Sequence, residues 1–594
     1  MTTWLRLLPA LMCLATWQAT GSPVSSEAPE SAERLAGLWQ GQRIFGPLVS
    51  GTLRITRSAA GWNAEIAGRS GPVRAEENLI SFECPGGQGR FLGRLAPDGA
   101  RIQGHWIQPG NDAGGPFASP VVLSRAAADD WRGEVTTLPM EMTFYLVAKP
   151  GTDGALDIFL RNPDRNVGYF QVPVDRLERK GNAVKLIARG QDGKPDRVVL
   201  EGRYDPGNDR LSIDIPSRGG TYDLRRVGAD EPSDFYPRGR PSVPYTYQPP
   251  PRWNDGWETA SVDDVGIDRA AISKFIQKLV DTPMDSAKAP EIHGVLVARH
   301  GKLVLEEYFH GHHRELAHDT RSAGKSLASD LAGAAIEAGY GLGATTPVYA
   351  TMYGSKLPPG LDPRKRAMRL EHLLTMSSGF DCDEDDENSP GYEDKVTGPD
   401  VYRATLELPM VRAPGEKAVY CSVGANLVGG VVARAAKEPS LELFQRLIAD
   451  PLGFGRYYIG VTPTNDCYLG GGARLLPRDF LKLAQVHLDG GLWHGRRIYP
   501  ADWSRQATSP LTRFSEESKA RYGYLWWLYD IPYRGRTVRA YFASGNGGQF
   551  SFGIEELGLA VVFYGGNYND WDSGYAALKE FLPQGILPAV QEGR

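Results

Sequence analysis

Ser322-Ala323-Gly324-Lys325 places a hydroxyl and an amine three residues apart at the head of a helical stretch. Serine is a poor nucleophile until a base takes its proton, and a lysine at i+3 on a helix lies one turn away on the same face. A serine that opens a helix also sits where free backbone N–H groups and the positive dipole end favour a developing anion. Alone, S-x-x-K occurs often by chance and is better explained by a capped helix with a solvated lysine. Two further segments change that weighting. Tyr420-Cys421-Ser422 stands immediately before an apolar run with small residues, 423–432, that reads as a helix. Gly545-Asn546-Gly547-Gly548-Gln549 precedes the alternating stretch Phe550-Ser551-Phe552-Gly553-Ile554, which reads as a strand.

The order S-x-x-K, Y-x-[SN], then a Gly-containing triplet opening a strand resembles the penicillin-recognising serine hydrolases. It is most similar to the class C β-lactamase-related branch, with its esterases, D-aminopeptidases and 6-aminohexanoate-dimer hydrolase-like amidases. Leu370-Glu371-His372-Leu373-Leu374-Thr375-Met376-Ser377-Ser378-Gly379, 471–479 and Tyr522-Gly523-Tyr524-Leu525-Trp526-Trp527 support the resemblance, which spans roughly residues 255 to 585. It implies an α/β domain with an antiparallel sheet flanked by helices and a helical subdomain. It also implies an acyl-enzyme on Ser322, with Lys325 and Tyr420 sharing the proton. The oxyanion hole would come from the backbone N–H groups of Ser322 and Gln549, with Asn546, Gly547, Gly548 and Ser422 bordering the substrate. Related sequences further suggest a Cys382–Cys421 disulfide bracing the loop beside Tyr420.

The chain departs from the β-lactamase pattern at two places. Asn546 stands where a lysine usually helps to hold a substrate carboxylate, and Ser422 replaces an asparagine. Both changes favour neutral or differently charged esters and amides. The glycine pair 547–548 is expected to let substrate bulk approach closely.

Competing chemistry is weaker. Ten histidines leave a Ser-His-Asp triad open by count, but no G-x-S-x-G elbow is present. His310, His312, His313 and His318 lie close together in sequence; without a second cluster at zinc-ligand spacing they read as a loop of surface histidines. The acidic run 381–387 mimics the start of a calcium loop but lacks its sixth-position glycine, so it reads as a solvated loop near the cleft.

Several elements must position these residues. In the C-terminal part, 272–280 has helical periodicity, 294–309 reads as two strands around His300-Gly301, and strands near 549–554 and 558–564 precede a helix near 573–581. Short alternating runs such as 52–56 and 184–188, separated by turn residues, make 30–226 an all-β region. A faint echo of Trp39-Gln40-Gly41 in Trp131-Arg132-Gly133 suggests tandem units at 30–126 and 127–226. Its function is open between glycan or cell-wall binding and scaffolding; scaffolding is favoured because no constellation of chemistry occurs there. Prolines crowd 227–257, which reads as a stiff extended linker into a catalytic domain at 258–590.

A chain of 594 residues, 41% hydrophobic and 23% charged, is multidomain and globular in composition, and its net charge of −5 points to no polyanionic partner. No basic patch argues for nucleic acid. Arg6 followed by the apolar stretch 7–15 and small residues reads as a signal peptide over 1–21, which makes an exported, periplasmic or secreted protein the expectation, without a stable membrane span after cleavage. Disulfides persist in such compartments; Cys84, Cys382, Cys421 and Cys467 allow three pairings.

The leading expectation is an exported serine hydrolase acting on small-molecule or peptide esters or amides, needing no cofactor and no metal. A D,D-peptidase or β-lactamase acting on cell-wall peptides or β-lactams, and a non-catalytic protein that binds cell-wall fragments, are the alternatives.

Overall fold

In the computed structural model the described residues are 32–592 apart from 47, 112–113, 152–154 and 191–192; the expected signal peptide lies outside them. The all-β region consists of two closed rings of eight strands. In the first, Gly51–Ser58 through Phe117–Ala127 follow one another as antiparallel neighbours, and Asp130–Val135 pairs with both Gly51–Ser58 and Phe117–Ala127 to close the ring. The second ring runs from Glu141–Pro150 to Gly220–Val227 and is closed by Gly37–Ile44, which pairs with both of those strands.

The expected boundary between units therefore moves. The two W-x-G strands are exchanged: Trp39 serves the second ring and Trp131 the first. Each tryptophan is buried where its strand ends up. Trp39 packs edge-on against Tyr204 and donates from its indole N–H to Leu35 O at 2.8 Å, whereas Trp131 stacks on Trp62 at 5.4 Å. The motif glycine has a steric reason at 133, where a Cβ would stand 2.1 Å from Val122 O.

The Pro-rich segment is not a free spacer. Tyr247 is buried, its hydroxyl donating to Val304 O at 2.8 Å and accepting from Val262 N at 3.0 Å, so the segment is packed against the next domain.

That domain is built on an antiparallel sheet. In chain order we label its main strands β1 (Ile292–Arg299), β2 (Lys302–Tyr308), β3 (Trp527–Tyr533), β4 (Arg536–Gly545), β5 (Gln549–Ile554) and β6 (Leu559–Gly565); in space they run β2-β1-β6-β5-β4-β3. Alternation sends Val295, Val297, Phe550, Phe552, Val561 and Phe563 into one core. There they meet helices α1 (Arg269–Val280), capped by Asp268 through Ala271 N at 2.9 Å, and α5 (Ala577–Ile586).

Leu296, Ala298, Ala560, Val562 and Tyr564 point into the opposite core, with α2 (Ser326–Glu337), α3 (Ser422–Ala436) and α4 (Pro477–Leu488). The helical subdomain lies between α2 and Ser440–Phe444, as expected for this fold. Among the described residues no helix is long and apolar enough to cross a membrane.

One sheet crosses the domain boundary. Ala118 and Phe117 of the first ring pair with Ile459 and Gly460; Tyr458–Gly460 then pairs with Ala473–Leu475, and that strand with His318–Asp319. The backbone ladder of the β region thus ends at Asp319, three positions before Ser322.

Candidate active site

Ser322 lies in a single tight 3-10 turn, Arg321–Lys325, that runs into α2. In a 3-10 turn residues i and i+3 eclipse one another, which is how the spacing acts here: Lys325 Nζ lies 3.0 Å from Ser322 Oγ. The amine is 2% exposed and donates to Gly470 O at 2.5 Å. The turn is pinned from behind. Thr320 donates from its N–H and hydroxyl to Ala473 O at 3.0 and 2.8 Å, and Arg321, at φ 50°, donates its N–H to Asp319 Oδ1 at 2.9 Å. Burial opposes ionisation of Asp319, but Arg321, Arg474 and Arg165 outweigh it and hold the carboxyl well below the usual range.

Tyr420 comes from the loop before α3 and brings its ring centroid to 5.0 Å from Lys325 Nζ. Trp527, at 6.2 Å and nearly parallel, and Phe514, at 6.1 Å, hold that ring. Phe514 also lines an open cleft of about 780 Å³ between 415–418 and 510–517. Cys382 and Cys421 are joined as a disulfide, so the acidic loop is tied to the residue next to Tyr420.

Ser422 begins α3 and donates its N–H to Glu384 Oε1 at 3.0 Å. Glu384 and Glu393 both face Ser422 and Lys325. Burial, then mutual repulsion, raises the Glu384 carboxyl above its ordinary range, and burial raises Glu393; Lys325 opposes both shifts. Of the acidic run, 385–387 is exposed as expected, but Glu384 is half-buried at the site. Neither glutamate was singled out from sequence, since a carboxylate in an acidic loop looks solvated until the loop is folded over.

The hairpin 545–549 stands against the serine turn. A Cβ on Gly545 would lie 2.1 Å from Thr320 O and 3.1 Å from Ala323 N, so only glycine permits this approach. Gly547 and Gly548, at φ 96° and 100°, serve the turn itself. The space beside Gly547 is filled by the Tyr568 ring, 2.7 Å from a hypothetical Cβ, and that beside Gly548 by Gly574 O. The fold of the hairpin itself thus requires glycine at both positions. Asn546 also faces inward: its amide donates to Asn569 Oδ1 at 2.6 Å and accepts from Asn569 N at 2.7 Å. Gln549 is fully buried, its amide nitrogen donating to Gly565 O at 2.7 Å, which leaves only its backbone for the role expected of it.

A Ser-His-Asp relay does occur. His487 lies 3.0 Å from Ser504 Oγ through Nδ1 and 3.1 Å from Asp330 Oδ1 through Nε2. Ser504 and Asp330 are each 2% exposed, and Tyr499, Trp526 and Tyr541 pack around the imidazole. No carbonyl substrate can reach that serine, so the relay is structural. The histidines before Ser322 also differ from expectation: only His313 is exposed, His312 is half-buried, and His310 and His318 are buried beside His293. His293 escaped notice because a single histidine in an apolar strand carries no sequence signal.

A beta-lactamase family model matches residues 276–573. Among solved structures, similar chains include a D-stereospecific amidohydrolase from a Streptomyces species (15% identity, 52% of this chain and 98% of that one, TM-score 0.40). A penicillin-binding protein from Bacillus halodurans matches at 17% identity over 49% of this chain and 95% of that one, TM-score 0.38. A family VIII carboxylesterase matches at 16% identity over 54% and 95%, TM-score 0.40. No curated protein matches the chain.

Proposed function

From the premise that this chain belongs to the beta-lactamase family, we propose that it is an exported serine hydrolase that cleaves ester or amide bonds through an acyl-enzyme on Ser322. The observation that carries the reading is the 3.0 Å approach of Lys325 Nζ to Ser322 Oγ with the Tyr420 ring beside that nitrogen. Ser322 Oγ bonds to the substrate carbonyl carbon as its proton passes to the Lys325–Tyr420 pair. The oxyanion is held by the backbone N–H groups of Ser322 and Gln549. Collapse breaks the ester or amide bond, the pair returns the proton to the leaving alcohol or amine, and water then releases the acid by the same route.

Substrate charge follows from the walls. Asn546, in the lysine's place, is engaged with Asn569, while Arg321 turns toward Asp319 at 3.8 Å and Tyr568 at 5.2 Å. Glu384 and Glu393 bring two carboxyl groups to Ser422 and Lys325. This supports neutral or cationic esters and amides ahead of β-lactams and other carboxylates. Export is supported by the Arg6-led apolar N-terminus and by the Cys382–Cys421 bond; an exported chain would begin near residue 22 by intact mass.

The test is labelling with a fluorophosphonate, followed by a parallel assay of a nitrophenyl ester, a linear amide, a D-Ala-D-Ala peptide and a chromogenic cephalosporin. Label on Ser322, lost together with ester or amide turnover in Ser322→Ala, is the expected outcome. A folded wild-type protein that takes no label, or one that turns over only the cephalosporin, overturns the proposal.

A further inference from the structure

His293 on β1, His312 on the loop after β2, and His318 on the short strand ahead of Ser322 converge from three separate segments. One ligand atom from each lies within 4.8 Å of the others. The rings of His293 and His312 stack at 4.0 Å, and His318 is 5.0 Å from His293 and 5.1 Å from His312. His293 and His318 are 2% and 5% exposed. The three line one narrow pocket with Tyr308 and Tyr564, which reaches the surface at the exposed His313.

Proton positions make the cluster unusual. His318 Nδ1 lies 3.0 Å from Asp319 O, and a carbonyl can only accept, so Nδ1 carries the proton. With that proton on Nδ1, the neutral ring keeps its lone pair on Nε2. That lone pair faces His293 Nδ1 at 2.7 Å. On its other side, His293 Nε2 has no hydrogen-bond partner and lies 3.6 Å from the Glu291 carboxylate, which Arg161 holds at 2.8 Å. A neutral His293 therefore sets an acceptor against an acceptor in either tautomer: toward His318 if Nε2 bears the proton, toward Glu291 if Nδ1 does. A cation among three imidazole lone pairs accounts for all of them, with Glu291 on the outer nitrogen of His293 as the orienting carboxylate common at such centres.

We propose that His293, His312 and His318 form a binding site for a divalent transition-metal ion, zinc foremost, distinct from the serine site. Imidazole donors suit zinc, copper and nickel rather than magnesium or calcium. Zinc–nitrogen bonds of about 2.0–2.1 Å in a tetrahedron place donors about 3.4 Å apart. The three donor atoms lie within 4.8 Å of one another, a range that includes that value. Three imidazoles leave a fourth position to be filled by another donor. The ion would tie β1, the loop after β2 and the strand that feeds the Ser322 turn into one unit.

The experiment uses tag-free full-length mature protein, stripped with a chelator and titrated with Zn²⁺ and with Co²⁺. We expect about one tightly held ion per chain, visible tetrahedral Co²⁺ bands, and a melting temperature that rises with Zn²⁺; an ion at a hundred times its Kd raises the folded-to-unfolded ratio about 100-fold. His312→Ala, at the half-buried position, should fold by circular dichroism and abolish the bands and the thermal shift, and His293→Gln should do the same. Wild-type protein that binds neither ion stoichiometrically overturns the proposal, as does binding unchanged in both variants.

Discussion

Tyr420 is the residue on which the proposed proton path turns, because Lys325 already has Gly470 O and Ser322 Oγ as partners. Its ring is held by Trp527 and Phe514 rather than by its hydroxyl, so Tyr420→Phe should leave packing intact and remove only the acid–base group. We expect an unchanged melting temperature and acylation slowed by about 100- to 10,000-fold, the usual worth of a positioned acid–base group. Fluorophosphonate labelling rates measure this directly; a rate within a few-fold of wild type would remove Tyr420 from the mechanism. Lys325 was legible because an i, i+3 pair is local. The Gly470 carbonyl that holds it was not, because nothing in a glycine-rich run states which side chain it will meet.

At the level of elements, the disulfide between Cys382 and Cys421 ties the loop bearing Glu384 to the start of α3, across a separation of 39 residues. Closing a loop of that size restricts the unfolded chain by about 4 kcal/mol in the entropic account. The double variant Cys382→Ser/Cys421→Ser should therefore melt well below wild type, and its ester kinetics should show the larger loss in kcat, since the tether ends beside Tyr420. Equal melting temperatures would contradict this. The elements of the catalytic half were readable from periodicity: β1, β2, α1, β5 and β6 fall where alternation and helical spacing put them. The exchange of the Trp39 and Trp131 strands was not, because a short alternating strand encodes which face is buried and says little about its neighbour. The proline segment likewise declared its stiffness but not the docking of Tyr247 onto β2.

For the whole molecule, the seam between the β region and the catalytic domain includes a histidine sealed from water. His105 of the first ring is 1% exposed, and its Nε2 lies 2.8 Å from the Tyr457 hydroxyl. Burial lowers its pKa to about 3 from an ordinary value near 6.5. The unfolded chain then binds a proton that the folded chain refuses, so stability falls as pH drops below about 6.5 and keeps falling toward 3, by up to about 1.4 kcal/mol per pH unit for one such group. Denaturant midpoints from pH 7 to 4 should show this slope, and His105→Gln, which keeps a hydrogen-bonding side chain without titrating, should flatten it relative to wild type; parallel profiles would exclude His105 as a source.

The ladder that runs from Phe117–Ala127 through Tyr458–Gly460 to His318–Asp319 has a practical corollary for anyone excising the recognisable half of this chain. A fragment starting near residue 258 would bare the amides and carbonyls of Tyr458–Gly460 as a raw sheet margin, ready to recruit a second copy. It would also strip Asp319 of its Arg165 partner. The smallest piece that homology can detect is therefore smaller than the smallest piece that can stay monodisperse.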